Sequence, residues 1–180
     1  MPAHHTPLDE DLLVRPLTDA DWAEVVPLEA RAYAASGLSE GDEALRSRHR
    51  AAPDYCFVLE HKGEFGGYLL ALPYPLGRCP DLSHAEPGTA AATATPASAS
   101  ANLHAHDLVI VERLRGQGLA PRLLTFLADT ARARGHATIS LVAVRGSDVL
   151  WSPLGYHPHP EVELPASYGD RAVYMSMPLS

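Results

Sequence analysis

The sequence predicts a mixed α/β (α+β) domain in which a β-sheet carries helices on its faces. The chain has 180 residues, of which 46% are hydrophobic, and this is enough for one compact domain with a substantial core. Short runs with strand-like patterns alternate with segments whose apolar residues recur at helical spacing. That alternation, without an internal repeat, is typical of a mixed sheet packed against helices.

Charge and composition exclude several classes of protein. The formal net charge of −8 argues against sequence-independent binding to nucleic acid or to an anionic membrane. Cys56 and Cys79 do not make a disulfide framework, and the N-terminus lacks the pattern of a secretory signal. No stretch reaches the roughly eighteen apolar residues of a membrane span. We therefore expect a soluble, cytoplasmic protein that binds neither nucleic acid nor membrane.

The N-terminal half predicts one strand, two helices and a β-hairpin. Thr18 and Asp21 form a capping-box pattern before the first helix, and Pro27 inside that helix is expected to kink it or to delay its start. A Lys-Gly-Glu turn at residues 62–64, between two apolar runs, is a hairpin signal. The predicted segments are a strand at residues 12–17, a helix from residue 22 that Gly37 ends, a helix from Ser39 to about Ala51, and strands at residues 55–61 and 65–72.

The C-terminal half predicts four further strands and two helices. A low-complexity segment, residues 81–101, precedes it and is predicted to be a mobile loop, with an ordered loop lying over a site as the alternative. Residues 1–10 are expected to be a flexible arm of the same single domain, residues 1–180. The predicted segments are strands at residues 103–111 and 138–144, helices at residues 119–134 and 147–153, and two strands within residues 156–179.

The most informative stretch is VIVERLRGQGLAPRLL, residues 109–124, in which a strand is followed by a glycine turn and a helix. Gly116 and Gly118 let the backbone approach a ligand closely. The first turn of the helix has free N–H groups and the positive end of the helix dipole, which favour a phosphate. The run matches neither the P-loop nor the dinucleotide-binding pattern. Three arginines add positive charge there, Arg113, Arg115 and Arg122.

Arg115, Gly118 and Ala120 form the pattern Arg-x-x-Gly-x-Ala. This pattern resembles the acyl-coenzyme A pyrophosphate loop of the GNAT superfamily of N-acetyltransferases, and the order of elements over residues 12–179 is similar to that family's order. A tight strand-to-helix turn with solvated arginines is the alternative. The resemblance implies a mostly antiparallel sheet of about seven strands, splayed between the fourth and fifth, with helices on both faces. It also implies acetyl-coenzyme A (acetyl-CoA) as co-substrate.

The resemblance further implies which residues contact the cofactor. Pantetheine would lie in the splay against backbone groups of the fourth strand, and the amides of the turn would hold the pyrophosphate, although Pro121 supplies no N–H. A main-chain N–H near Leu108 would polarise the thioester carbonyl. The residues implied are Leu108, Val109, Ile110, Arg115, Gly116, Gln117, Gly118, Leu119 and Ala120.

Two histidines, His104 and His106, precede the glycine turn on the predicted fourth strand. Side chains alternate along a strand, so both rings are expected on one face and Asp107 on the other. A histidine is suited to removing the proton of an ammonium before attack. The His-x-His spacing resembles arylalkylamine N-acetyltransferase, in which such a pair relays the amine proton. We expect His106 as the base, directly or through water, with His104 second; the alternative is that either ring merely packs in the sheet.

The same spacing leaves a metal site open as an alternative, because His-x-His can supply two ligands. Further histidines are available in the chain, His84, His136, His157 and His159. No carboxylate or third histidine has a telling local spacing, and no bound metal is predicted.

The segment after the fifth strand departs from the family pattern. Members often protonate the leaving thiolate with a tyrosine, but Trp151 stands at that place, before Gly155 and Tyr156. An indole N–H donates a hydrogen bond and is not a proton source at ordinary pH. We expect Trp151 in the catalytic site, where it would wall the thioester, or else as an anchor of the short helix. Water or Ser152 then remains as the acid, and Val144 replaces an asparagine that contacts CoA in many members.

Three hypotheses for function follow. The first is an N-acetyltransferase that transfers an acetyl group from acetyl-CoA to a primary amine by direct attack in a ternary complex. The second is a non-catalytic acyl-CoA-binding module, and the third is a protein with a histidine-bound metal. The acceptor is expected to be a small-molecule amine or a peptide N-terminus, and the family makes a homodimer a reasonable expectation. Candidates to line the acceptor pocket are Tyr33, Tyr74, Tyr168 and Tyr174, with Asp107 or Glu29 attracting an ammonium.

Overall fold

Eight strands form the frame of the fold in the computed structural model, which describes residues 5–85 and 101–179. The strands are β1 (Thr6–Pro7), β2 (Leu12–Pro16), β3 (Cys56–His61), β4 (Glu64–Pro73), β5 (Asn102–Ile110), β6 (Thr138–Ala143), β7 (His157–His159) and β8 (Val173–Pro178). Their order in the sheet is β1-β2-β3-β4-β5-β6-β8-β7. Only β5 and β6 pair in parallel, and the other neighbouring strands in these ranges are antiparallel.

The predicted mixed, mostly antiparallel sheet is confirmed. The strand beyond the expected seven is β1, which pairs with Leu13 and Val14 of β2 and falls within the segment predicted to be an arm. Most of the predicted low-complexity loop, residues 86–100, lies outside the described residues. Its first part, residues 81–85, is described and lies beside the site discussed below.

The described ranges contain four α-helices, α1 (Trp22–Tyr33), α2 (Asp42–Ala51), α3 (Leu119–Ala133) and α4 (Asp148–Trp151). Helix α1 begins at Trp22 and continues through Pro27, so the proline does not delay its start. Helix α2 begins three residues later than expected. Ser39 and the backbone of Glu40 bond instead to the Glu29 carboxylate, and Gly41 has a φ of 87°, which favours glycine. None of the helices in the described ranges is long and apolar enough to cross a membrane.

Helices cover both faces of the sheet, and each face has its own core. Leu123 and Leu127 of α3 are fully buried against one face. Trp22 and Val25 of α1, with Leu45 of α2, are buried against the other face. Because side chains alternate along each strand, the residues of one strand contribute to the cores on both faces of the sheet. Two layers of helix around one sheet therefore follow from the patterns read in the sequence.

The sheet splays between β5 and β6, the two strands predicted to separate. Their pairing ends at Ala105 and Leu141, whereas β5 continues to Ile110 with β4 still paired along its other edge. One edge of β5 beyond Ala105 is therefore free of a strand partner within the described ranges. The backbone N–H and C=O groups on this edge can form hydrogen bonds with an extended ligand.

A β-bulge interrupts β5 at His106. Leu70 of β4 pairs with Asp107 and Ala71 pairs with Ala105, so His106 is the extra residue on the bulged strand. A bulge resets the alternation of side chains between the two faces. Asp107 therefore lies on the same side of the sheet as His106.

The expectation that Asp107 points away from the histidines is therefore wrong. The His106 ring bonds to Glu40, which precedes α2, and the Asp107 carboxyl bonds to Tyr68, which belongs to the core under α1 and α2. Strict alternation of side chains along β5 does not predict this arrangement, because the bulge depends on how β5 pairs with β4.

Asp21 joins β2 to α1. Its carboxylate accepts hydrogen bonds from the Thr18 backbone N–H and from two guanidinium nitrogens of Arg15, at 2.7 to 2.8 Å. The predicted capping box is confirmed, with aspartate in place of the usual glutamate. Burial by itself raises the pKa of Asp21, but the bonds from Arg15 and Thr18 outweigh it and hold the pKa below its usual value.

The variant Asp21→Asn is expected to lower the free energy of unfolding by about 2 kcal/mol at pH 7, because Arg15 loses its charged partner. The folded-state pKa lies below the unfolded-state pKa, so this stabilisation is present above about pH 4 and is lost as the pH falls through the folded-state pKa. Urea unfolding at pH 7 and pH 3 measures the difference, which shrinks at pH 3. The control is Asp19→Asn, an exposed residue of the same turn; equal losses in both variants at pH 7 would contradict the prediction.

Candidate active site

A groove of about 620 Å³ runs along the free edge of β5. It begins at the splay and extends past the end of β5 to the glycine turn and the start of α3. Every residue predicted to contact the cofactor lines this groove except Gln117, which is exposed on the turn. The strand edge and the turn therefore form one continuous surface, as their adjacency in the sequence suggested.

Two glycines shape the end of the groove. Gly116 has a φ of 81° and Gly118 a φ of 75°, a left-handed backbone conformation that residues other than glycine rarely adopt. Helix α3 begins directly after Gly118, so the N–H groups of Leu119 and Ala120 in its first turn lie at the groove. These donors have no partners within the helix, and the helix dipole adds positive potential there.

Two of the three arginines near the turn are directed elsewhere. Arg113 donates to the Phe65 carbonyl at 3.0 Å, and Arg122 donates to the Leu8 carbonyl at 2.6 Å. Neither side chain lines the groove. Although Arg113 and Arg122 are close to the glycine turn in the sequence, neither contributes its guanidinium to an anion site in the groove.

Other arginines supply the positive charge. Arg115 lines the groove, and its Nε donates to the Ile110 carbonyl at 3.0 Å, which fixes the turn to the end of β5. Arg31 of α1 and Arg145 after β6 also line the groove. The Arg145 guanidinium lies 5.6 Å from the ring centroid of Tyr33. Folding alone brings Arg31 and Arg145 to this place, and no local motif marks them.

A smaller cavity of about 50 Å³ lies on the side of the sheet covered by α1 and α2. Tyr33 lines both the cavity and the groove, so the two spaces meet at its side chain. Val142 and Val144 of the β6 segment form the wall across the splay. The polar lining consists of Glu29, Glu40, His106 and Asp107.

His106, Glu40 and Arg48 form a buried network beside this cavity. The Nε2 atom of His106 lies 2.9 and 3.0 Å from the two carboxylate oxygens of Glu40, and Arg48 donates to the same carboxylate at 2.7 Å. The side chains are 0, 2 and 1% exposed, respectively. Burial raises the pKa of Glu40, but His106 and Arg48 outweigh burial and hold it below its usual value. Glu40 is therefore a charged acceptor.

The network selects one tautomer of His106. A carboxylate only accepts hydrogen bonds, so Nε2 of His106 carries the hydrogen that Glu40 receives. The other nitrogen, Nδ1, is buried and bonds to no residue in the described part of the chain. In the neutral ring this Nδ1 holds the free lone pair, which is the chemical requirement of a base.

Asp107 lies in an unusual electrostatic environment. Its carboxyl accepts a hydrogen bond from the Tyr68 hydroxyl at 2.7 Å and is 8% exposed. Burial and the nearby charges of Glu40 and Glu29 raise the pKa of Asp107 well above its usual value. The pKa of Tyr33 is raised as well, by burial and by Asp107. The raised pKa favours the protonated, neutral form of Asp107, and a cation bound beside it would favour the charged form.

His104 is buried behind His106, with their ring centroids 6.2 Å apart. Its Nδ1 lies 2.8 Å from the hydroxyl of Ser140. Burial, and after it the neighbouring His106 and Arg48, lowers the pKa of His104 well below its usual value, so its ring is neutral at pH 7. His104 does not line the cavity.

Trp151 lines the groove and packs in part against the core that contains Leu123 and Leu127 of α3. Both expectations for this residue are compatible with that position. Ser152 donates its hydroxyl to the Asp148 carbonyl at 3.0 Å and does not line the groove. An acid role for Ser152 therefore has no geometric support.

Two of the four tyrosines expected at the acceptor pocket lie there. Tyr33 and Tyr168 line the cavity. Tyr74 and Tyr174 do not, and their rings lie 6.3 and 6.2 Å from the ring of His104. Tyr174 is buried, and its hydroxyl accepts a hydrogen bond from the Gly77 N–H.

Acidic residues, and not histidines, form the group of potential metal ligands in the described ranges. Ligand oxygens of Glu29, Glu40 and Asp107 lie within 4.8 Å of one another. No third ligand joins His104 and His106 there, and the hypothesis of a histidine-bound metal gains no geometric support.

Sequence reasoning missed Glu40 and Arg48 because both fall in a segment that reads as one polar helix. The signal that was available is Gly41, directly after Glu40. Glycine is unfavourable inside a helix, so it marks the later start and leaves Glu40 in an irregular segment that can reach the sheet.

The geometry and one sequence comparison together define the class of this protein. A sheet that splays beside a groove ending at a glycine turn and a helix N-terminus defines a fold suited to an extended, phosphate-bearing ligand. The family model described as "Acetyltransferase (GNAT) family" matches residues 22–151. The chain therefore belongs to the GNAT family of acetyltransferases. A search among curated proteins finds no match.

Solved structures share the fold. A GNAT family N-acetyltransferase (YhbS) from Escherichia coli, in complex with CoA, is 19% identical, with coverage of 98% of this chain and 86% of that chain and a TM-score of 0.60. The GphF GNAT-like decarboxylase in complex with isobutyryl-CoA is 18% identical, with coverage of 93% and 99% and a TM-score of 0.71. N-acetylglutamate synthase from Neisseria gonorrhoeae is 16% identical, with coverage of 96% and 36% and a TM-score of 0.68. These similarities establish the fold alone, so the reaction has to be argued from the site.

Proposed function

We propose that this chain transfers an acetyl group from acetyl-CoA to a primary amine by direct attack in a ternary complex. The observation that carries the proposal is the meeting of the groove and the cavity at Tyr33, with His106 on the cavity wall. Two substrates that occupy these spaces have their reacting ends side by side. Holding two reactants in this way removes much of the entropic cost of their encounter.

The groove is suited to acetyl-CoA. The free edge of β5 at Leu108 to Ile110 offers backbone groups to the amides of pantetheine. The glycine turn and the first N–H groups of α3 offer donors to the diphosphate. Arg31 and Arg145 add positive charge along the way. CoA or acyl-CoA bound to structures of the same fold supports this assignment.

His106 is assigned the role of base. Its Nδ1 takes one proton from the bound ammonium, directly or through water, and the ring becomes an imidazolium. Glu40, already bonded to Nε2, stabilises the positive charge that appears. His104, the second candidate for the base, is neutral but does not line the cavity, so His106 is preferred.

The neutral amine then attacks the thioester carbonyl. A carbon–nitrogen bond forms while the carbon–sulfur bond breaks, and a main-chain N–H near Leu108 donates to the oxygen that gains charge. The nitrogen, which becomes cationic as the carbon–nitrogen bond forms, loses its second proton to water, and the thiolate receives one proton from water because Trp151 cannot supply it. In the balance, an ammonium and acetyl-CoA give an amide, free CoA and one released proton.

A non-catalytic acyl-CoA-binding module is the second candidate. It is favoured by Trp151, which lines the groove where a tyrosine is usual in the family, and by Val144 in place of an asparagine. Neither difference removes the base or the backbone contacts of the groove. We therefore rank transfer first.

One experiment separates the candidates. The protein is mixed with acetyl-CoA and a panel of primary amines, and free thiol is measured over time, while calorimetry measures the binding of acetyl-CoA alone. We expect binding and amine-dependent thiol release. Binding without release for any amine would favour the module, and absence of binding would overturn both candidates.

The cytoplasm is the proposed compartment. It supplies acetyl-CoA and keeps thiols reduced, and Cys56 and Cys79 are both buried and free. The proposed function covers both small-molecule amines and peptide N-termini as acceptors.

A further inference from the structure

Three carboxyl groups from different parts of the fold converge on the cavity. Glu29 belongs to α1, Glu40 to the segment before α2, and Asp107 to β5. Their oxygens lie within 4.8 Å of one another. The three side chains are almost wholly buried, at 1, 2 and 8% exposure. So close a group of acids is costly to bury unless positive charge accompanies it.

The positive charge supplied by the chain is incomplete. Arg48 bonds to Glu40, and His106 donates to the same carboxylate through Nε2 as a neutral ring, so Arg48 is the full positive charge that accompanies the cluster. Glu29 accepts from neutral donors, the Ser39 hydroxyl at 2.5 Å and the Glu40 N–H at 2.7 Å. Asp107 accepts from the neutral hydroxyl of Tyr68. The cluster is therefore complementary to a cation that comes from outside the chain.

A second observation points to a ligand in the same place. His106 lines the cavity, its side chain is 0% exposed, and its Nδ1 bonds to no residue in the described ranges. A buried nitrogen without a partner costs free energy until a donor reaches it. An ammonium has three N–H donors, which suit this nitrogen and the neighbouring carboxyl oxygens at once.

The size of the cavity restricts what is attached to the ammonium. The volume of about 50 Å³ holds an ammonium and a short piece of chain. Leu38, Leu82 and the two valines of the β6 segment supply apolar walls, which suit methylene groups. A carboxylate on the carbon that bears the nitrogen would enter among three acids and meet strong repulsion. A branch at that carbon would also crowd the walls.

From these observations we infer that the acceptor is an unbranched alkyl primary amine that enters as the ammonium ion, with no carboxylate on the carbon bearing the nitrogen. Glu29, Glu40 and Asp107 determine this preference. The inference rests on the proposed acetyl transfer and selects small alkylamines over α-amino acids and over peptide N-termini, whose first carbon carries a carbonyl group and, except in glycine, a side chain.

The test uses three amines that differ only at the first carbon: pentylamine, norleucinamide and norleucine. The measurement is kcat/KM with saturating acetyl-CoA. We expect pentylamine to exceed norleucine by about 100-fold or more, the size of one unfavourable charge pair in a partly screened site. Norleucinamide, which has the branch without the charge, is expected about 10-fold below pentylamine. Equal values for pentylamine and norleucine would overturn the inference but leave the proposed function standing, whereas no turnover with any primary amine would overturn both.

Variants assign the preference to the acids. Glu29→Gln keeps the shape of the side chain and an acceptor for the Ser39 hydroxyl. This variant is expected to reduce the ratio of pentylamine to norleucine by about 10-fold, with norleucine improving in absolute terms. A merely structural defect would lower both amines together and would overturn this assignment. Glu43→Gln is the matched control, because Glu43 is 74% exposed on α2, and its ratio is expected to stay unchanged.

Discussion

Replacing His106 by glutamine is expected to lower kcat by about 10²- to 10³-fold, because the variant has no base to take the proton of the ammonium. Glutamine retains an N–H that can donate to Glu40, so the buried pair of Glu40 and Arg48 keeps its neighbour. The affinity for acetyl-CoA is expected to change by no more than about twofold, because His106 does not line the groove. Steady-state kinetics of thiol release and calorimetry measure the two quantities.

The matched control for this variant is His157→Gln, an exposed position on β7. It is expected to leave both kcat and cofactor affinity unchanged. Wild-type kcat in His106→Gln would remove the base from the mechanism. Loss of acetyl-CoA binding in the same variant would mean that the fold was damaged, and a thermal unfolding curve beside the kinetics identifies that case.

Replacing Ala120 by glutamate is expected to weaken the binding of acetyl-CoA by about 10- to 100-fold, because a carboxylate at the groove repels the diphosphate. Ala120 is the second residue of α3, where negative charge is favourable to the helix. The free energy of unfolding is therefore expected to be unchanged or slightly higher. This combination, weaker binding without lower stability, is specific to an anion site at the start of α3.

The control for Ala120→Glu is Thr125→Glu, which makes the same change in net charge at an exposed position of α3. We expect it to weaken acetyl-CoA binding by less than about twofold, because screening by salt reduces the effect of a charge that lies farther away. Calorimetry at two salt concentrations compares the variants. Equal weakening by both would argue that net charge, and not the proposed diphosphate site, controls binding.

Sequence patterns predicted the fold well because local periodicity carries most of the information about it. The stripe formed by Leu123 and Leu127 predicts α3 on one face of the sheet, and the apolar run from residue 138 predicts the buried strand β6. The start of α2 was misplaced because Ser39 and Glu40 exchange helical bonds for a contact with Glu29. That contact joins two segments that no local pattern connects.

The candidate site likewise has one part that the sequence predicts and one part that it does not. One wall of the groove follows from a continuous stretch of sequence, a strand, a glycine turn and a helix start, and sequence analysis identified most of its residues, whereas Arg31 and Arg145 reach the groove only through folding. The cavity is assembled from α1, the segment before α2, residues 81–85, β5 and β6, and its acids meet only in the folded chain. Arg48 illustrates the difference, since it bonds to Glu40 and also to the carbonyls of Asp81 and His84.

The bulge in β5 also bears on how this active site can be gained or lost in evolution. Ala105 and Asp107 already pair with adjacent residues of β4, so deletion of the codon for His106 leaves every other cross-strand pair in place. No single substitution in a regular strand creates the same arrangement, because the imidazole occupies a position that such a strand does not have. An insertion of one residue, rarer than a point mutation, is therefore needed to create this position, whereas a point mutation at His106 is enough to remove the base.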